Sequence, residues 1–212
     1  MNERMGGQGG VTVRHEPVQA RAAHRVEALL DAAAAVVESH GIEHLTTALV
    51  AERAGASIGT VYRYFPDRVA VLVALAERNL ERLRIAVGRE LQAEHDDWPS
   101  AMEAIVGAMI ESFRGIPSFR QLRTGEGLDL GPEHRAAVAP EFVPDVVEFM
   151  TERFAIEVDD EGRARIELAI GGLDALVTYA FLHDPDGDPR YLAMGIAIAS
   201  EQLAPLFEAQ AR

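Results

Sequence analysis

Hydrophobic residues recur at steps of three and four along most of the chain. From Arg21, the positions Val26, Leu29, Leu30, Ala33, Val36 and Val37 fall on one stripe of an α-helix. Gly41 ends that stripe. Thr46 or Thr47 is placed to cap a short second helix over Ala48 to Ala54, because a hydroxyl there accepts from a free first-turn N–H; Gly55 closes it. Ser57 is the next capping residue, and a third helix runs from it to about Phe65. Pro66 fits the first turn of a fourth helix with Asp67 near its positive end, and Val69, Leu72, Val73, Leu75, Ala76, Leu80, Leu83 and Val87 carry the stripe onward. Further helical patterns lie at about 98–114, 117–124, 132–156, 160–183 and 188–209, separated by Gly-Ile-Pro, Gly-Glu-Gly and Asp-Pro-Asp-Gly-Asp-Pro. No segment shows the sustained alternation of a sheet, so the pattern predicts an all-α fold.

Thr46 to Arg68 carries the chemistry. Two short helices joined by Gly-Ala-Ser have the geometry of a helix-turn-helix, whose second helix enters the major groove of DNA. Ala51 and Ala54 are small enough for the helices to approach, and Val50 and Val61 fill the space between them. The run Ser-Ile-Gly-Thr-Val-Tyr-Arg-Tyr then places hydroxyls, phenols and a guanidinium on about two turns. Tyr and Thr donate to phosphate oxygens, Arg pairs with guanine or phosphate, and Ile58 with Gly59 suits base edges or a thymine methyl. Phe65, followed by Pro66, reads as core, and Arg53 as a solvated charge.

The segment Ala-x-x-Ala-Gly-x-Ser-x-Gly-Thr-x-Tyr-x-Tyr-Phe, at Ala51 to Phe65, resembles the DNA-binding domain of the tetracycline-repressor family. The likeness covers roughly Arg21 to Leu80. It implies an all-helical homodimer whose N-terminal helix-turn-helix domain binds a palindromic operator and whose C-terminal helical domain binds a small inducer and dimerises. The recognition-helix contacts it implies fall on Ile58, Gly59, Thr60, Tyr62, Arg63 and Tyr64. Thr46 and Thr47 match positions that cap the second helix and touch the DNA backbone, and Arg68 stands where the family commonly has a phosphate-holding Lys. Ala48 departs from the pattern, since an Arg is frequent there. Ile58 is also less polar than usual, which shifts base reading towards Arg63 and Tyr62.

The C-terminal patterns point to a ligand cavity and an interface. Trp98, Met102, Met109, Phe113, Phe119, Phe142, Phe149, Met150 and Phe154 supply the adaptable apolar lining of such a cavity, with Arg120, Glu141, Asp174 and Thr178 as polar groups able to orient a ligand. Asp174 is the only charge in an apolar stretch, so pairing across a dimer is a second reading of it. The stretches from Ile166 to Phe181 and from Leu192 to Leu203 are apolar on more than one face, and Gly171, Gly172 and Gly195 permit close helix approach. These last two helices are expected to form a four-helix bundle with a second copy. The division expected is a disordered arm over 1–20, a helix-turn-helix domain over 21–68 and a ligand-binding and dimerisation domain over 69–212.

Composition narrows the chemistry. The 212 residues include no Cys, which excludes disulfides, thiolate metal sites and a Cys nucleophile. His40 and His44 are separated by the helix-breaking Gly41, and the Asp184, Asp186, Asp188 series has Pro189 where a calcium loop needs Gly. No cofactor, metal site or catalytic constellation is predicted, and an enzyme is not expected. The apolar stretches are short or interrupted by Asp174, and the Gly-rich start lacks a signal-peptide core, so a cytoplasmic protein is expected. The net charge of −14 seems at first to exclude DNA, yet residues 1–68 hold 7 Arg and 8 acidic residues, and the rest of the acidity lies beyond them. All 20 basic residues are Arg, so any phosphate clamp is a guanidinium. The function predicted is a ligand-responsive transcriptional repressor; the alternative is a helical small-molecule or protein-binding module that no longer binds DNA.

Overall fold

The computed structural model describes residues 18–125 and 142–210. Among these the chain forms α1 Val18–His40, a 3₁₀ turn Ile42–His44, α2 Thr47–Arg53, α3 Ile58–Tyr64, α4 Arg68–Gln92, α5 Trp98–Gly115, α6 Pro117–Thr124, α7 Val143–Phe154, α8 Asp160–His183 and α9 Pro189–Gln210. No strand occurs among the described residues. Of the predicted N-terminal arm, residues 1–17 lie outside the described part, while Val18 to Ala20 already belong to α1. Residues 132–141 of the predicted 132–156 helix, and Glu141 with them, also lie outside it.

The caps explain the helix boundaries. Thr46, not Thr47, is the N-cap of α2: its Oγ1 accepts from Leu49 N at 3.1 Å, whereas Thr47 begins the helix and is buried. Ser57 Oγ accepts from Thr60 N at 3.2 Å at the start of α3. Gly55 between them has φ +61, a backbone state that L-residues with a Cβ enter at a cost. Pro66 lies before α4, contrary to the first-turn placement read from sequence. Asp67 takes the N-cap position with an extended backbone, and its Oδ1 accepts from Ala70 N at 2.8 Å.

Two apolar cores form. One joins α1, the 3₁₀ turn, α2 and α3 to the first half of α4 and reaches Leu122 of α6; Leu29, Val37, Leu45, Val50, Val61, Val71, Leu72 and Leu75 are fully buried in it. The other begins on α4 at Leu83 and gathers side chains from α5 to α9. Helix α4 therefore belongs to both, and the domain limit proposed at residue 68 marks only where the helix-turn-helix ends. Between the two cores Arg78 of α4 bonds Asp31 at 2.8 Å, Glu27 at 3.4 Å and the Leu30 carbonyl at 3.1 Å, all on α1. The next residue, Asn79, turns to α6 and donates to Ser118 Oγ at 3.5 Å.

Helices α8 and α9 pack closely because Gly195 lets α9 approach α8: a Cβ there would lie 3.2 Å from Leu173 Cδ1 and 3.3 Å from Leu176 Cβ. Gly172 serves the same contact, against Ile198, whereas Gly171 faces open space. By length and composition α8 is apolar enough to cross a membrane, with mean hydropathy 1.3. Its Ile166, Ala169, Leu173, Val177, Ala180 and Phe181 instead form one wall of the second core.

Candidate DNA-binding interface and ligand cavity

The first core holds α3 by its inner face, where Val61 is fully buried and Phe65 is 6% exposed. The opposite face presents Ile58, Gly59, Tyr62 and Arg63 to solvent; Ile58 is 43% and Tyr62 53% exposed, high values for side chains of that apolar area. Tyr62 is oriented from α2, because the Thr47 hydroxyl donates to its phenol oxygen at 3.3 Å. The Arg63 guanidinium lies 5.0 Å from the centre of the Tyr64 ring and donates to its hydroxyl at 3.4 Å, so a cation over an aromatic face is held at the exposed end of α3. Tyr64 itself is half-buried against the first core, and Thr60 is half-buried with its hydroxyl 2.9 Å from Ser57 Oγ. Thr46 is exposed beside Thr47 at the start of α2. Of the residues predicted for DNA contact, Ile58, Gly59, Tyr62 and Arg63 are exposed on α3 and Thr46 is exposed at the start of α2, Thr60 and Tyr64 are half-buried, and Thr47 is buried.

Arg68 has a role that sequence spacing did not show. Its Nε donates to the Leu45 carbonyl at 2.9 Å and its Nη2 to the Ile42 carbonyl at 2.7 Å. The side chain fastens the start of α4 to the 3₁₀ turn before α2, a structural role beside the phosphate contact expected of it. Nothing local marks this: the partners are carbonyls more than twenty positions away.

The second core contains a cavity of about 60 Å³. It is enclosed by Val87 of α4; Trp98, Ala101, Met102, Ile105 and Met109 of α5; Phe142; Val146, Phe149 and Met150 of α7; Ile166, Ala169, Ile170, Leu173 and Asp174 of α8; and Ala199, Leu203 and Phe207 of α9. Trp98 stacks on Phe207 at 4.8 Å, Phe207 meets Phe154 edge-on at 5.2 Å, and Phe154 meets Phe149 at 5.4 Å, giving the cavity an aromatic side. The Asp97 carboxylate caps α5 just before Trp98 and is held below the usual carboxylate range by the Ser100 hydroxyl first and the Ser100 N–H second. Phe149 also faces a groove between α4 and α7 in which Arg84 pairs with Asp145 at 3.3 Å.

Seven of the predicted cavity residues line it: Trp98, Met102, Met109, Phe142, Phe149, Met150 and Asp174. Five do not, Phe154 among them, which packs edge-on against Phe149 and Phe207 behind the lining. Phe113 is fully buried elsewhere, stacked on Phe181 at 4.8 Å and edge-on to Phe119 at 4.9 Å, so this pair fills the core. Arg120 donates to the Phe113 carbonyl at 3.2 Å, and Thr178 accepts from Arg123 at 3.0 Å. Asp174 pairs with Arg123 of its own chain, so its charge has a partner without a second copy. Sequence reasoning missed Arg123, for which the lone charge of Asp174 in an apolar helix was the available signal.

Comparison with known proteins agrees with this arrangement. Residues 29–75 match the family model for bacterial regulatory proteins of the tetR family, and residues 96–207 match that for the tetracyclin repressor-like C-terminal domain. The HTH-type transcriptional repressor KstR of Mycolicibacterium smegmatis is 42% identical over 59 residues, 28% of this chain and 29% of that protein. The curated relatives are thus matched over well under half of their own length. A TetR-family transcriptional regulator from Streptomyces coelicolor superposes with TM-score 0.70 at 27% identity, covering 87% of this chain and 98% of that one. The fatty acid degradation regulator FadR from Bacillus halodurans shares the fold, with TM-score 0.64 at 19% identity over 84% of this chain and 94% of that one. With its helix-turn-helix and its C-terminal helical domain both matched, the chain belongs to the tetracycline-repressor family.

Proposed function

We propose that the protein is a cytoplasmic, ligand-responsive transcriptional repressor that binds a palindromic operator as a homodimer. The observation that carries the reading is the exposed face of α3, where Ile58, Gly59, Tyr62 and Arg63 stand outward from a fully buried base. A binding module that had given up DNA has no need to order Arg63 over Tyr64 or Tyr62 on Thr47. Thr46, Thr60, Tyr64 and the remaining donors of Arg68 lie at the rim, where they serve phosphates. The reading assigns no catalytic step.

The dimer is supported by an outward apolar stripe on the last two helices. Leu168 is 62%, Tyr179 45%, Met194 52% and Ile198 36% exposed, and Gly171, Ala175 and Ala197 lie between them. A second copy packed there gives a four-helix bundle and sets the two recognition helices about 34–36 Å apart, one helical turn of DNA.

The response to a ligand runs through α4. This helix of 25 residues meets the cavity at Val87 and the helix-turn-helix at Arg68, about 28 Å away along its axis at 1.5 Å per residue. The cavity of about 60 Å³ is far smaller than the ~300 Å³ or more that drug-sized ligands occupy. A ligand therefore widens it by repacking Met and aromatic side chains against α4, and so favours a conformation with different spacing between recognition helices. The test is selection of bound duplexes from a random DNA pool, then anisotropy titrations of the selected site at several salt concentrations. Arg63→Ala should relax base preference and lower the magnitude of the salt slope by about one. Recovery of no palindrome, or parent-like binding by the Arg63 variant, would refute the assignment.

A further inference from the structure

We propose that the cavity selects a neutral ligand: an apolar body with at most one uncharged hydrogen-bond donor, such as a hydroxyl, set against Asp174. The inference rests on the reading of this cavity as the ligand site. Its basis is the charge state of the wall. Among the described residues that line it, Asp174 is the single ionisable side chain; the others are aliphatic or aromatic side chains and methionines. That carboxylate is already engaged, since Arg123 behind it donates to both of its oxygens and to Thr178 Oγ1. The side chains of the pair are 20% and 10% exposed, so water does little to stabilise either charge.

Each charged alternative breaks this balance. An anionic head brought to Asp174 faces a carboxylate at close range in an apolar enclosure, and can reach the guanidinium only by displacing that carboxylate. A cationic head must compete with Arg123, which approaches both carboxylate oxygens. Entering in neutral form instead is costly at pH 7: about 100-fold or more in affinity for a carboxylic acid and about 1,000-fold for an alkylamine, from their ordinary pKa values. A hydroxyl pays neither penalty, because Asp174 has lone pairs to accept from it while remaining paired.

The experiment uses the full-length protein and three probes with one chain and different heads: 1-octanol, octanoate and octylammonium. Trp98 is the only tryptophan and lines the cavity, so its fluorescence reports occupancy without a label. At pH 7, 1-octanol should bind at least tenfold more tightly than either ion, and octanoate should gain close to tenfold in affinity for each unit the pH is lowered towards 5.5. Asp174→Asn removes one negative charge from the wall and keeps the guanidinium, so octanoate should gain at least tenfold while 1-octanol changes less than threefold. If octanoate or octylammonium binds as tightly as 1-octanol, or if Asp174→Asn leaves the octanoate affinity within threefold of the parent's, neutral selection at Asp174 is wrong and the cavity remains a ligand site. If none of the three perturbs Trp98, the ligand-site reading itself falls.

Discussion

Gly59 offers a test in which stability and binding move in opposite directions. It is the second residue of α3 and exposed, and a Cβ built there meets nothing nearer than Ser57 Oγ at 3.9 Å, an ordinary contact. Its φ is not in the left-handed region, so no backbone requirement calls for glycine. Within the isolated protein Gly59→Ala should therefore stabilise, through the lower backbone entropy of the unfolded chain, by about 0.5 kcal/mol. For a chain of this size that raises Tm by about 1–2 °C. On DNA the same methyl stands on the outward face of the recognition helix, where the backbone comes nearest the groove. A loss of at least tenfold in operator affinity, about 1.4 kcal/mol, is expected. Circular-dichroism melts and fluorescence anisotropy on the selected duplex measure the two effects on one preparation. A lowered Tm would mean that the space beside Gly59 is not open. Parent-like affinity would mean that this face of α3 stays clear of the groove.

Arg68→Ala should lose about 2 kcal/mol of stability, because the carbonyls of Ile42 and Leu45 both lose a charged donor, and Arg68→Lys should recover less than half of it in urea titrations. Ala155 ends α7 with φ 53, so Ala155→Gly removes a left-handed penalty that exceeds the extra entropy of glycine and should stabilise by about 0.5 kcal/mol in the same titrations. The Asp97 carboxyl is depressed in the folded protein, so its contribution is present above the unfolded value, near pH 4, and disappears as pH falls through the lower folded value. Asp97→Asn keeps a capping oxygen without a titrating charge, and Trp98 fluorescence at pH 2–5 should show a shallower acid loss than in the parent.

The helix positions were legible because each depends on neighbours a few residues away. Ser57, Gly55 and Gly41 act within one turn, and the apolar stripes of α1 and α4 repeat at helical spacing. The exposed face of α3 was legible for the same reason: Val61 points inward, so Tyr62 and Arg63 stand outside. Contacts between distant segments were not. Arg68 reads as a surface cation until Ile42 and Leu45 are brought beneath it, and Phe113 and Phe119 are indistinguishable by type from Trp98 and Phe149. Whether an aromatic ring fills a core or borders a void depends on how far apart the helices settle, which residue type and spacing do not encode. Asp67 against Pro66 makes the same point more locally, since a capping carboxylate and a helix-initiating proline compete for neighbouring positions and Asp67 takes the N-cap of α4.

The division of α4 between two cores makes it a keyed shaft. On one side of a single peptide bond Arg78 is fastened to α1, and on the other Asn79 is turned to α6. Adding one residue between them would rotate the C-terminal half against the helix-turn-helix by about 100° and translate it by 1.5 Å. Even one residue here changes which way α3 faces for a given C-terminal half. Exchange of that half for another, in evolution or by design, must therefore splice this helix in register rather than cut it at its start.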